Sequence, residues 1–218
     1  MHHNYHKQLE KLRKNFLDLG LIVEDRVRKA CSAFKDNDMT DIEFVIKSDY
    51  EIDAMEIEIE EECLKILALY QPVAKDLRFI IALIKINSEI ERIGDYAVKI
   101  ASKVKFVSEH RCQQFRMDYA QMSEKVLVML KMSLDALVHY DEELANRVFI
   151  LDDEVDTMRN SAYDIIKEQL RKQPENAGCL LNCYLISRHL ERIADRATNI
   201  AEEVIYLVGG EIVRGDRI

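Results

Sequence analysis

The feature that most constrains this chain is a duplication, because its second half repeats the first about 100 residues along. Three short matches carry the repeat: residues 49–53 with 152–156, Gln71-Pro72 with Gln173-Pro174, and Glu91-Arg92-Ile93-Gly94-Asp95 with Glu191-Arg192-Ile193-Ala194-Asp195. Their offsets are 103, 102 and 100, a drift that small deletions near turns would produce. We therefore predict two repeated units, residues 1–110 and residues 111–218.

The hydrophobic pattern predicts that both units are helical. Apolar residues recur at spacings of three and four, and only 6 Gly and 2 Pro interrupt 218 residues. The predicted helices cover about 5–34, 39–70, 72–108, 115–140, 141–172 and 174–208. Since short connections make consecutive helices antiparallel neighbours, the fold class is all-α, with two tandem up-down-up three-helix bundles. The pattern leaves open whether the bundles pack side by side or end to end.

Charge and composition exclude several classes of protein. A net charge of -9 opposes non-specific binding to nucleic acid and to anionic membranes. No apolar run approaches the roughly 20 residues that span a bilayer, and the polar start is unlike a signal peptide, so a cytoplasmic protein is expected. Five cysteines without a Cys-x-x-Cys pair suit free thiols. Cys179 and Cys183 lie one helical turn apart and have the spacing of a soft-metal pair, although free cysteines more often act as small hydrophobes.

The repeated Glu-Arg-Ile-x-Asp motif places two carboxylates on one helical face. Glu91 and Asp95 lie one turn apart, as do Glu191 and Asp195, and like charges at this spacing destabilise a helix unless a cation neutralises them. The neighbouring Arg92 and Arg192 supply one explanation, that of a solvated face on which arginines pair with the carboxylates. At about 100° per residue, however, the carboxylates lie to the side of the apolar stripe that includes Ile90 and Ile93, and they are expected to face outward.

A second acidic pair precedes each motif by one helix. Asp49 and Asp53, and likewise Asp152 and Asp156, flank the apolar face of the second helix of their repeat, so the two pairs can meet along one groove. Carboxylate oxygens select hard cations, and bridging carboxylates allow more than one ion. The predicted metal-binding residues are therefore Asp49, Asp53, Glu91, Asp95, Asp152, Asp156, Glu191, Asp195 and, extending the second site, Glu202.

These motifs resemble those of the PhoU family, and so do the nearby segments 74–78 and 196–202. The resemblance extends over about residues 5–210. The resemblance implies a cytoplasmic, often dimeric regulator that binds multinuclear iron, with zinc, manganese, magnesium or calcium as alternatives. It also implies that the protein restrains the phosphate-starvation response by linking a phosphate-specific ABC transporter to a sensor histidine kinase. Lys99 stands where the second repeat has Asn199, and a cation there is expected to weaken or reshape the first site.

Two other functions compete with this interpretation. A di-iron enzyme in a helical bundle uses Glu-x-x-His motifs facing the core, and none of the six histidines here follows a Glu at that spacing, so no catalytic residue is predicted. A helical scaffold whose acidic motifs bind only arginines would contain no metal.

Overall fold

The computed structural model describes residues 2–36, 39–110 and 117–209. Its helices are α1 (His2–Asp36), α2 (Met39–Lys47), α3 (Asp49–Tyr70), α4 (Ala74–Glu109), α5 (Ala120–His139), α6 (Glu142–Lys172) and α7 (Ala177–Gly209), with a 3-10 turn at Pro174–Asn176. The all-helical prediction is confirmed. In the described part of the chain, no helix is long and apolar enough to cross a membrane.

The second predicted helix is divided at Ser48 into α2 and α3. The Ser48 hydroxyl donates a hydrogen bond to the Phe44 carbonyl oxygen at 2.8 Å. A serine that bonds back to the preceding turn often bends a helix, and this bond lies at the break in a continuous apolar pattern. The third helix was predicted to begin at Pro72, but α4 begins two residues later, at Ala74. Pro174 does open its 3-10 turn, as predicted for the start of the last helix.

The two repeats pack side by side along α4 and α7. Lys85 pairs with Glu203 at 2.9 Å, and Arg196 pairs with Glu89 at 3.1 Å. Because the partner number on α7 falls as the residue number on α4 rises, the two helices run antiparallel. The predicted apolar stripes of α4 and α7 are fully buried at this seam, and one continuous core joins the repeats. The seam also fixes where the flanking carboxylates point.

The predicted free thiols are confirmed for Cys31, Cys63 and Cys183, while Cys112 lies outside the described residues. The prediction is wrong for Cys179, which is in a disulfide. The spacing of cysteines along the sequence does not show which of them the fold brings into contact. A sulfur in a disulfide is not a thiolate ligand, so the idea of a soft-metal pair formed by Cys179 and Cys183 is dropped.

Gly94, inside the first acidic motif, allows α3 to approach α4 closely. A β-carbon there would lie 2.9 Å from Ile52 Cδ1 and 3.2 Å from Ile52 Cγ2. Gly94→Ala is therefore expected to lower the free energy of unfolding by about 1 kcal/mol, since overpacking outweighs the gain in helix propensity. Combining it with Ile52→Val, which removes Cδ1, should restore part of that loss in urea titrations. Strictly additive effects of the two substitutions would contradict this explanation.

Candidate metal centre

The first acidic groove lies between α3 and α4. Burial raises the pKa of Asp49, and the charges of Asp53 and Asp95 raise it further. Burial also raises the pKa of Glu91, followed by the charges of Asp95, Asp53 and Glu56. Charges on both helices thus act on each other, as the sequence predicted for the first two acidic pairs.

The second acidic groove repeats this arrangement between α6 and α7. Burial raises the pKa of Asp152 from 3.8 to about 7, and Asp195, Asp156, Asp153 and Glu191 contribute in that order. Burial is the largest cause of the rise, and the four neighbouring carboxylates that add to it show that Asp152 lies in negative surroundings. Such a site favours a bound cation.

Glu191 corrects the expectation that the motif carboxylates all face outward. Its side chain is buried, with 6% of the residue exposed, and Oε2 has no hydrogen-bond partner among the described residues. Burial raises its pKa, and the charge of Asp195 raises it further. A helical wheel gives the direction of a side chain from its own axis, but it does not show how far the neighbouring helix covers that side chain. Arg192 Nε lies 3.7 Å from this oxygen, so a cation would have to compete with the guanidinium for a buried carboxylate oxygen that has no hydrogen bond.

Arginines and a lysine partly neutralise both grooves. Arg159 Nη2 lies 3.6 Å from both Asp156 Oδ1 and Glu191 Oε1, and Arg192 contacts Asp195 at 2.7 Å. In the first groove, Lys99 Nζ lies 3.3 Å from Asp95 Oδ2. The sequence identified Arg192 and Lys99 as candidate cations.

Arg159 and Glu56 are charged residues of the grooves that the sequence did not predict. Arg159 of α6 corresponds, at the offset of 103, to Glu56 of α3, whose charge acts on Glu91. At this position the first groove therefore has a carboxylate, whereas the second groove has a guanidinium. Comparing the repeats position by position beyond the shared motifs would have found this exchange.

Glu202 lies on α7 two turns beyond Asp195 and is half-buried, and its place in the second site stays a prediction. The neighbouring Glu203 is engaged elsewhere, in the ion pair with Lys85 across the seam.

The grooves fit a hard cation by their donor chemistry. They offer carboxylate oxygens, one of them buried and incompletely bonded, in strongly negative surroundings. In the described ranges, no three acidic, histidine or cysteine side chains converge closely enough to hold an ion. Side-chain rearrangement, with Arg159 leaving Glu191, would therefore accompany metal binding.

Asp152→Asn is expected to change how stability depends on pH in metal-free protein. Because the folded-state pKa of Asp152 lies above its ordinary value, the folded state binds more protons between about pH 4 and 7, and stability falls as the pH rises through this range. The amide should remove part of this slope and raise the melting temperature at pH 8 by about 2–4 °C. Asp164→Asn, at an exposed position on the same helix, is the control. An unchanged melting temperature at pH 8 would contradict the assignment.

A cavity of about 850 Å³ lies elsewhere, between α1 and α5. Its lining includes Glu24, Arg28, Tyr119 and Lys131 and contains none of the predicted metal-binding residues. This cavity and the acidic grooves therefore lie in different parts of the fold.

Comparison with known proteins agrees with the duplication. A family model described as the PhoU domain matches residues 16–104 and 119–204. A phosphate-specific transport system accessory protein PhoU homolog from Clostridium acetobutylicum is 33% identical over 210 residues, 96% of each chain. The crystal structure of PhoU from Pseudomonas aeruginosa has a TM-score of 0.90 and 36% identity, covering 95% of this chain and 100% of that one. The phosphate transport system regulatory protein PhoU from Streptococcus pneumoniae has a TM-score of 0.86 and 30% identity, with 96% and 99% covered.

Proposed function

The chain belongs to the PhoU family, and we propose that it links a phosphate-specific ABC transporter to a sensor histidine kinase and restrains the phosphate-starvation response. It is a phosphate transport system accessory and regulatory protein and not an enzyme. The proposal extends to a cytoplasmic homodimer. The observation that carries it is the match of both repeats to the PhoU domain, with relatives covered over nearly their whole length.

Metal binding in the acidic grooves is the second part of the proposal. Carboxylates of neighbouring helices act on one another in both repeats, which supports binding of metal cations through oxygen ligands, with multinuclear iron first and zinc, manganese, magnesium or calcium as alternatives. A bound ion would supply positive charge that allows these carboxylates to remain ionised together. The residues that would hold it are Asp49, Asp53, Glu91 and Asp95 in the first repeat and Asp152, Asp156, Glu191, Asp195 and Glu202 in the second.

The two grooves should not bind metal equally. The first contains the additional carboxylate of Glu56, whereas Arg159 occupies the corresponding place in the second. A cation must compete with Arg159 for Glu191, so the second groove is expected to bind more weakly. The pairing of Lys99 with Asp95 reduces this difference without removing it.

Deletion of the gene tests the regulatory role. Phosphate-responsive genes should become active in phosphate-rich medium, and the full chain should restore their control. A chain carrying Glu91→Ala and Glu191→Ala should fail to restore it although it accumulates normally. Normal control of these genes after deletion would overturn the assignment.

A scaffold without metal is the second candidate function, and the existing pairs of Arg159 and Arg192 with the groove carboxylates favour it. In a scaffold these ion pairs are the final state of the groove. The scaffold predicts that Glu91→Ala with Glu191→Ala restores control as well as the unaltered chain does.

A further inference from the structure

The outward face of α3 carries a line of exposed apolar side chains. Tyr50, Ile57 and Leu64 are 67%, 55% and 54% exposed. They are seven residues apart, so they follow one line along the helix, on the side opposite the buried Ile52 and Ile59. We call these three residues the α3 stripe. Exposed apolar side chains in a row are more informative than scattered ones, because a row offers a continuous contact surface.

Acidic side chains border the α3 stripe on both sides. Asp53 and Glu60 lie on one side of it, Glu58 and Glu61 lie on the other, and all four are exposed. Across its 22 residues, α3 carries 8 acidic residues and one basic residue, Lys65, which lies 3.7 Å from Glu61 and 3.6 Å from Glu62. The face is therefore apolar along its centre and strongly negative along its edges.

The duplication supplies an internal comparison for this face. At the offset of 103, the positions of the α3 stripe correspond to Asp153, Asn160 and Lys167 on α6. The same fold is thus built with polar residues at all three places. Packing within the repeat therefore does not require the apolar side chains of α3, which points to a contact outside the chain.

We propose that the α3 stripe docks an amphipathic helix of a partner protein, whose apolar residues are flanked by lysine or arginine. Apolar positions seven apart match the spacing of such a helix, and the basic flanks complement the acidic borders. From Tyr50 to Leu64 the stripe runs roughly 21 Å, about four helical turns. A second copy of α3 fits poorly, because two acidic borders would repel each other.

This inference rests on the proposed adaptor role, which requires a protein-binding face, and it adds the chemistry of one partner surface. The variants used to test it leave the metal grooves unaltered, because none of them changes Asp53, which borders the stripe and is also a predicted metal-binding residue. The variant Ile57→Asn with Leu64→Asn removes the apolar side chains without changing the charge. Ile150→Asn, at a 65% exposed apolar position on α6, is the matched control.

Fluorescence anisotropy of labelled synthetic peptides tests the proposal on the full chain. One peptide is an 18-residue helix with leucines on one face and lysines at its borders, and a second has glutamates in place of the lysines. The chain should bind the lysine peptide and not the glutamate peptide. Ile57→Asn with Leu64→Asn should weaken binding at least about tenfold, Ile150→Asn should leave it unchanged, and Glu58→Gln with Glu61→Gln should reduce its dependence on salt.

Equal binding by the chain and by the Ile57→Asn, Leu64→Asn variant would overturn the proposal, as would equal binding of both peptides. Sedimentation that shows a dimer converted to a monomer by this variant would assign the face to a second copy instead. If the chain binds anionic vesicles and this variant alone loses that binding, the face is assigned to a membrane. If gene deletion disturbs phosphate control and the variant still binds the peptide normally, only the α3 docking fails. Normal control after deletion removes the adaptor role itself.

Discussion

Replacing Glu191 and Asp195 together by alanine is expected to remove the contribution of the second repeat to stabilisation by Mn²⁺. A ligand at about 100 times its dissociation constant stabilises a folded protein by about 2.7 kcal/mol. For a chain of this size, that corresponds to a rise of about 5–10 °C in the melting temperature for each occupied groove. The variant should retain only the shift that the first groove provides, because two of the carboxylates proposed to hold the ion in the second groove are gone.

Adding Glu91→Ala and Asp95→Ala to this variant should abolish the Mn²⁺ shift altogether. The matched control is Glu124→Ala with Asp164→Ala, which removes two exposed acidic charges outside the grooves and should keep the full shift. A quadruple variant that is stabilised by Mn²⁺ as much as the unaltered chain would exclude the grooves as the binding sites. Differential scanning fluorimetry after treatment with a chelator measures all of these shifts.

Ile193→Ala is expected to lower the free energy of unfolding by about 2–5 kcal/mol. Ile193 lies between the two motif carboxylates in sequence, but its side chain is fully buried in the core that joins the repeats. The cavity left by the missing carbons explains the expected loss. Urea denaturation monitored by circular dichroism measures it.

Ile150→Ala is the control for this cavity variant, because Ile150 is 65% exposed and its truncation should change stability by less than about 0.5 kcal/mol. A similarly small effect of Ile193→Ala would show that the seam between the repeats does not depend on this side chain. Together with the Glu191 and Asp195 variant, this measurement separates the two parts of the motif. The isoleucine maintains the fold, and the carboxylates are proposed to bind metal.

Much of the fold was predictable because helical periodicity and duplication are local patterns. The stripe that includes Ile90 and Ile93 was identified from spacing alone, and it is buried as expected. The break at Ser48 was not predicted, since the apolar period continues through it. The disulfide of Cys179 depends on a distant pairing that spacing cannot reveal.

The sequence predicted that acidic pairs lie on neighbouring helices but not how their charges are balanced, and metal binding by these residues stays a prediction. Periodicity placed Asp152 and Asp195 on facing edges of neighbouring helices, and the raised pKa of Asp152 agrees with their proximity. The burial of Glu191 depends on how far α6 covers α7, which is a property of packing. The contact of Arg159 with Glu191 crosses between helices, so no motif within one helix indicates it.

Native mass spectrometry of protein purified without chelator tests most directly whether the two acidic grooves hold metal. We expect additional mass from metal ions on each protomer. Part of that mass should be lost in the Glu91→Ala, Asp95→Ala variant, the remainder in the Glu191→Ala, Asp195→Ala variant, and all of it when the four substitutions are combined. A chain that carries no iron, manganese, zinc, magnesium or calcium, or a quadruple variant that keeps its full metal load, would contradict the account.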